Sequence, residues 1–188
     1  MLKKIAWGVL ALLLALVAVL AINTLRKGSR QLDVAPVPVV AVDEAGVAQR
    51  LAEAVRLRTI SSRDDAELNA DQFKQLHALL QAKFPKVHAA LKREVVGNYS
   101  LLYTWPGSKP EAQPILLMAH QDVVPIAPGT EKSWQTEPFA GQVKDGFVWG
   151  RGAWDDKGNL MAQLEALEML IASGYQPCLL YTSPSPRD

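Results

Sequence analysis

Two short runs of this chain hold side chains that could do chemistry together. The first is Met118-Ala119-His120-Gln121-Asp122-Val123-Val124-Pro125. Side chains alternate along an extended segment, so His120 and Asp122 project to the same side. A carboxylate so placed can hold an imidazole in one tautomer, or tune a metal that the imidazole binds. Standing alone, a His-x-Asp pair is more often structural. The second run is Gly150-Arg151-Gly152-Ala153-Trp154-Asp155-Asp156-Lys157-Gly158. Two adjacent carboxylates lie between glycines, just ahead of a helical pattern. As structure, Asp155 or Asp156 would cap that helix and the glycines would serve a turn. As chemistry, a carboxylate there is an oxygen ligand for a divalent metal.

Elements on either side must position these runs. Ile115 to Ala119 is continuously apolar, as expected of a strand buried on both faces. It delivers His120 at a strand's carboxyl end, where α/β folds place their ligand and catalytic residues. Asn159 to Ala172 reads as a helix with Leu160, Leu164, Leu167, Leu170 and Ile171 on one side and Gly174 past its end. Upstream, Val47, Leu51, Ala54, Val55 and Leu57 repeat at helical spacing behind a capping Asp43. A second helix runs from Asp71 to Phe84 on the stripe Phe73, Leu76, Leu79 and Leu80, and Pro85 ends it. His77 and His88 fall on or beside it and read as solvated surface residues. Lys92 to Val96 and Ser100 to Trp105 are short strands across a Gly97-Asn98 turn, and Phe147 to Trp149 is another. Helices, then strands, then a buried strand and a helix predict an α/β layer fold.

Composition narrows the chemistry. The 188 residues carry a formal net charge of +1, which gives no footing for a nucleic-acid partner. A single cysteine, Cys178, rules out an internal disulfide framework and a cysteine-built metal site. Any metal must be held by Asp, Glu and the three histidines, His77, His88 and His120.

The ends of the chain are of different character. Lys3 and Lys4 precede an uncharged run from Ile5 to Leu25, and Arg26, Lys27 and Arg30 follow it. About 20 apolar residues span a bilayer as a helix, so residues 1–27 read as a single-pass membrane anchor. Its rival is a signal peptide cleaved near Val19-Leu20-Ala21, though the apolar run is longer than such peptides need. Positive charge on both flanks leaves the orientation open. Residues 28–42, with Pro36 and Pro38 among valines, read as an extended linker. Residues 43–177 form the domain. Residues 178–188, CLLYTSPSPRD, break the pattern: they read as a flexible tail, or as a non-native one resembling translated adapter sequence, with the native chain continuing past Pro177.

Taken together, the two runs resemble a known family. His120-x-Asp122, Trp134, Pro138-Phe139-x-Gly141, Asp145-Gly146, Gly150-Arg151-Gly152 and Asp155-Asp156-Lys157-Gly158 are similar in order to the M20 metallopeptidases. The wording is nearest to the carboxypeptidase S and N-fatty-acyl-amino-acid hydrolase branch. The resemblance implies a three-layer zinc-exopeptidase-like α/β domain with a central mixed sheet, here incomplete, preceded by one transmembrane helix. It implies His120 as ligand to one zinc, Asp155 as the carboxylate bridging two zinc ions, and Asp122 as the catalytic-site aspartate behind His120. It also implies a cis bond between Asp155 and Asp156. A Glu-Glu pair supplying the general base and another ligand is expected past Asp188, with a lid domain through which the family forms homodimers. The implied reaction is zinc-dependent hydrolysis of an amide bond next to a free carboxylate, on a small peptide or N-acyl amino acid. The expected setting is periplasmic or extracellular at a membrane, or secreted. These 188 residues alone would then be inactive. The competing reading is a membrane-tethered binding domain that keeps the fold without the chemistry.

Overall fold

The computed structural model describes every residue except 30, 32–33, 37–38, 66, 110, 179–180 and 185–188. Arg30, Pro38 and the last residues of the tail, all named above, lie outside the described residues. The chain divides into two compact units, Met1–Ala41 and Val42–Asp188.

In the first unit, α1 spans Leu2–Arg26. It has a mean hydropathy of 2.9 over its most apolar stretch, and none of its residues is buried. Leucine, alanine and valine surround it on every side, so it has no polar stripe of the kind a core-facing surface helix shows.

The second unit begins with α2, Glu44–Arg56. Asp43 caps it as expected, its Oδ1 accepting the Gly46 N–H at 3.0 Å. The next helix, α3, covers Ala70–Lys83, with Phe73, Leu76 and Leu80 buried. Pro85 does end it, but also opens a further helix, α4, Pro85–Ala90. Proline suits a first helical position, because its missing N–H has no intrahelical partner to lose. β1 (Lys92–Val96) and β2 (Ser100–Trp105) form the expected antiparallel hairpin, with Gly97 at φ 63° in its turn.

The expected buried strand differs. β3 is only Ile115–Leu116, and both residues are exposed. It is the edge of a mixed sheet ordered β1-β2-β6-β3, where β6 is Tyr181–Pro184. β6 runs antiparallel to β2 and parallel to β3. An edge strand has a neighbour on one side only, and the apolar run cannot bury itself without one on the other. β6 falls in the run set apart above as a tail, and its backbone fills the place between β2 and β3. A second, two-stranded sheet pairs β4 (Gln142–Lys144) with β5 (Phe147–Trp149).

α5, Lys157–Ala172, lies against α2 and α4. Leu160, Met161, Leu164 and Leu167 join Ala54, Leu76, Leu80, Phe84 and Val87 and the inward residues of β2 in one core. Leu170, expected on that face, is instead 40% exposed, while Met161 is buried at 1%. Polar ties add direction to this packing. Arg50 of α2 pairs with Glu165 of α5 through two contacts, at 2.5 and 3.0 Å. Glu168 of α5 accepts the Lys86 and Val87 backbone N–H groups at 3.0 and 2.9 Å. α4 has no side-chain cap of its own, so a neighbouring helix satisfies its free donors.

Lys157, the first residue of α5, is fully buried. Its Nζ donates to Ala54 O at 2.9 Å and to Leu57 O at 2.6 Å, at the carboxyl end of α2. The negative end of a helix dipole favours a cation there. Burial still pulls the ammonium down from 10.5 to about 7, against the opposing charge of Asp122. Lys157→Ala should destabilise the second unit by roughly 3 kcal/mol, since it leaves a cavity and strips carbonyls of their donor. Denaturant unfolding of the two proteins at neutral pH measures it, and a change under 1 kcal/mol would show that the contact is dispensable.

Candidate active site

The end of β3 leads through Leu117 and Met118 to Ala119, which is buried, and then to His120. From there the chain is fastened on several sides. The His120 N–H donates to Asp156 Oδ2 at 3.0 Å. Val123 N–H donates to Thr59 O at 2.9 Å, and Thr59 Oγ1 donates to Gln121 O at 2.6 Å. An isolated parallel bridge joins Ile60 to Val123. The segment leaving α2 is thus laid alongside residues 121–123.

The imidazole of His120 sits between two carboxylates. Its Nδ1 is 3.1 Å from Asp122 Oδ1 and 3.0 Å from Asp122 O. Its Nε2 is 2.9 Å from Asp155 Oδ1. The Asp122 side chain is 7% exposed and that of Asp155 82% exposed, so one carboxylate is part of the scaffold and the other is offered to solvent. Partial desolvation lowers the His120 pKa. Hydrogen bonds to Asp155 and to the Asp122 backbone, with the charges of Asp122 and Asp156, outweigh it and leave the net value raised. His120, Asp122 and Asp155 line one cleft of about 310 Å³ with Ser61, Ser62 and Arg63.

Asp155 and Asp156 are joined by a cis peptide bond. The two carboxylates do different work. Asp155 faces the imidazole, and Asp156 holds the His120 backbone while also accepting Asn159 Nδ2 at 3.3 Å. Asp156 stands at the N-cap of α5, as the bland reading of the run required, but its side chain makes no capping bond. Gly152, at φ 82°, is close against Val123, where a Cβ would collide with the valine methyl.

The structure brings together the three site residues named from sequence, His120, Asp122 and Asp155. A nitrogen and an exposed carboxylate oxygen facing one another suit a divalent metal of the zinc type. They are two donors, and among the described residues no group of three or more His, Cys, Asp or Glu is placed to hold an ion.

The other histidines are not solvated. His77 is 9% exposed, and its Nε2 lies 3.0 Å from Gln121 Oε1. His88 is half-buried, with Nε2 2.9 Å from the Tyr103 hydroxyl and Nδ1 2.9 Å from Phe84 O. Both correct the sequence expectation. The helices that carry them present those faces to β2 and to the loop after β3, which single-helix periodicity does not reveal. Gln121, 2% exposed, is the hub: Gln121 Nε2 also donates to Tyr99 O. Ser61, Thr59, Gln121 and Lys157 were missed as site-building residues. Only Lys157 carried a signal, as a charge inside the Asp-Asp-Lys-Gly run.

The chain is similar to known proteins. Residues 116–182 match Peptidase family M20/M25/M40. A probable carboxypeptidase S-like protein of Dictyostelium discoideum is 38% identical over 88% of this chain and 33% of its own length. Carboxypeptidase S of Saccharomyces cerevisiae is 42% identical over 69% of the chain and 24% of its own. The N-fatty-acyl-amino acid synthase/hydrolase of Bos taurus is 44% identical over 69% and 25%. The chain therefore spans a quarter to a third of the length of these relatives. Among solved structures, human carnosine dipeptidase 1 superposes with a TM-score of 0.61 at 20% identity, covering 76% of this chain and 32% of that one. An M20 metallo-carboxypeptidase of Sulfolobus solfataricus gives 0.58 at 20% identity, covering 77% and 30%. At that identity the likeness is one of fold.

His77 sets a pH dependence. Burial lowers its pKa below the ordinary 6.5, with the Gln121 hydrogen bond opposing and Arg93 reinforcing. The unfolded chain takes up this proton first, so stability present above about pH 6.5 is lost as pH falls toward the folded value. Melting temperatures at pH 7.5 and 5.5 should drop further for the wild type than for His77→Leu. Equal drops would show that His77 does not titrate in this range.

Proposed function

We propose, from its kinship with the M20 peptidases, that this chain carries part of the catalytic domain of a zinc-dependent hydrolase. The bond cleaved is an amide or peptide bond next to a free carboxylate, in a small peptide or an N-acyl amino acid. The observation that carries this reading is the pair His120 Nε2 and Asp155 Oδ1, opposed across 2.9 Å at the edge of a cleft, with Asp122 behind the ring.

Each residue has a task in this reading. Asp122 accepts the Nδ1 proton of His120 and so leaves the Nε2 lone pair facing the cleft. His120 and Asp155 would then be the residues that hold zinc. Asp156 fixes the backbone of His120, and Lys157 fixes the start of α5, so the donors are held from behind. Zinc held there would supply an activated water near neutral pH and a Lewis acid for the carbonyl. The general base and the remaining ligands lie outside these residues, in a three-layer domain of which residues 43–177 are a part. On that ground the 188 residues alone should turn over substrate at background rate. α1 would hold the enzyme at a membrane, with the catalytic domain outside it.

In its complete native form the protein should hydrolyse dipeptides or N-acyl amino acids, lose that activity to a chelator and regain it with zinc. His120→Ala and Asp155→Ala should each lower kcat/KM by about 10³-fold or more, given that positioned proton transfer and metal activation both fail. Metal analysis alongside the assay separates the readings. A folded protein that binds no zinc and cleaves nothing is a tethered binding domain instead.

A further inference from the structure

Asp122 is buried and acts only if its carboxylate cannot turn. One oxygen, Oδ1, faces His120 Nδ1 at 3.1 Å. A carboxylate fixed at a single oxygen can swing about its Cβ–Cγ bond, and the proton on Nδ1 then loses its charged acceptor and keeps only the Asp122 carbonyl, 3.0 Å away. The other oxygen, Oδ2, accepts the hydroxyl of Ser61 at 2.5 Å. An O–H to carboxylate bond of that kind is among the stronger hydrogen bonds in proteins.

Ser61 is itself held. Thr59 is fully buried, its carbonyl accepting Val123 N–H and its hydroxyl bonding Gln121 O. Asn69 Nδ2 donates to Ile60 O at 2.9 Å. The three residues after α2 and its exit turn are therefore pinned to the strand-end loop on one side and to the start of α3 on the other. The backbone leading to Ser61 is thus held, and a single side-chain torsion carries its hydroxyl to Asp122.

We propose that Ser61 is a positioning residue of the site. It locks the Asp122 carboxylate in the plane that keeps the proton on His120 Nδ1 and the Nε2 lone pair toward Asp155. The inference rests on the metal-site reading above. It goes beyond that reading in adding a fourth member to the relay, from a segment some sixty residues upstream (a separation of 61 in sequence).

The test is zinc affinity of the complete native protein, measured by competition with a chromophoric chelator. Ser61→Ala should weaken zinc binding by about 10-fold or more, the usual effect of losing an outer partner of a metal ligand. Ser61→Thr, which keeps the hydroxyl, should restore most of it. The melting temperature of the zinc-free protein should be similar in all three. Should Ser61→Ala melt early, Ser61→Val has the size of threonine without the hydroxyl, and its affinity should fall in the same way. Wild-type affinity in a folded Ser61→Ala or Ser61→Val variant overturns the proposal, as does an equal loss in Ser61→Thr. Asp155→Ala is the control that separates the two inferences. If it loses zinc while Ser61→Ala keeps it, only the positioning role fails. If it binds zinc like the wild type, the metal-site reading fails and this inference falls with it.

Discussion

A buried lysine amine, shut away from solvent, is the constraint around which the second unit is arranged. Taking an amine the size of Lys157 out of water costs several kcal/mol unless dipoles or charges replace the water. Here the replacement comes from Ala54 and Leu57, the last carbonyls of α2, and from the charge of Asp122. Each supplier is thereby fixed relative to α5. α2 must stop where it does, the chain must leave it toward Thr59, and the loop after β3 must pass near enough for Asp122 to be felt. His120 is held by residues of those same two segments, Asp122 and the Asp155-Asp156 pair ahead of α5.

α5 transmits this order to the rest of the unit. Its apolar stripe closes the core, its Glu165 takes the guanidinium of α2, and its Glu168 caps α4. The bidentate contact with Arg50 fixes rotation about the helix axis as well as separation, which apolar packing alone leaves loose. Ahead of α5, Gly150 and Gly152 let the backbone approach Val55 and Val123 closely, and Asp155 and Asp156 reach the ring and the backbone of the same histidine.

Local elements were legible in the sequence wherever one pattern decided them. Asp43 and the spacing of Ala54 and Val55 defined α2, and Gly97 with its flanking strands defined the hairpin. His120, Asp122 and Asp155 were legible because their residue types are specific and their order matches a family. What escaped was non-local. A helical histidine such as His77 is written the same way whether it faces water or Gln121. Ser61 and Thr59 are ordinary residues in a Thr-Ile-Ser-Ser run until residues 121–123 lie alongside. The exposure of β3 could not be read either, because an apolar pentapeptide reports its own taste for burial and not the number of its neighbours. Pro85 shows a third kind of ambiguity, since the same ring that stops one helix begins another.

The fastening of His120 from behind bears on how a ligand would be received. Its ring is oriented by Asp122 and its backbone by Asp156, both of them groups of the protein itself. An ion arriving there meets donors already ordered by the core, rather than recruiting them from a loose chain. Small metal-folded domains are at the opposite extreme, where binding free energy and folding free energy are the same quantity. In a scaffold of this kind the two separate. On the proposed metal reading, loading and stripping an ion would be a local event, with little apolar surface changing hands and so little change in heat capacity. The lifetime of the second unit would then be decided by the packing of α2 against α5 rather than by metal supply.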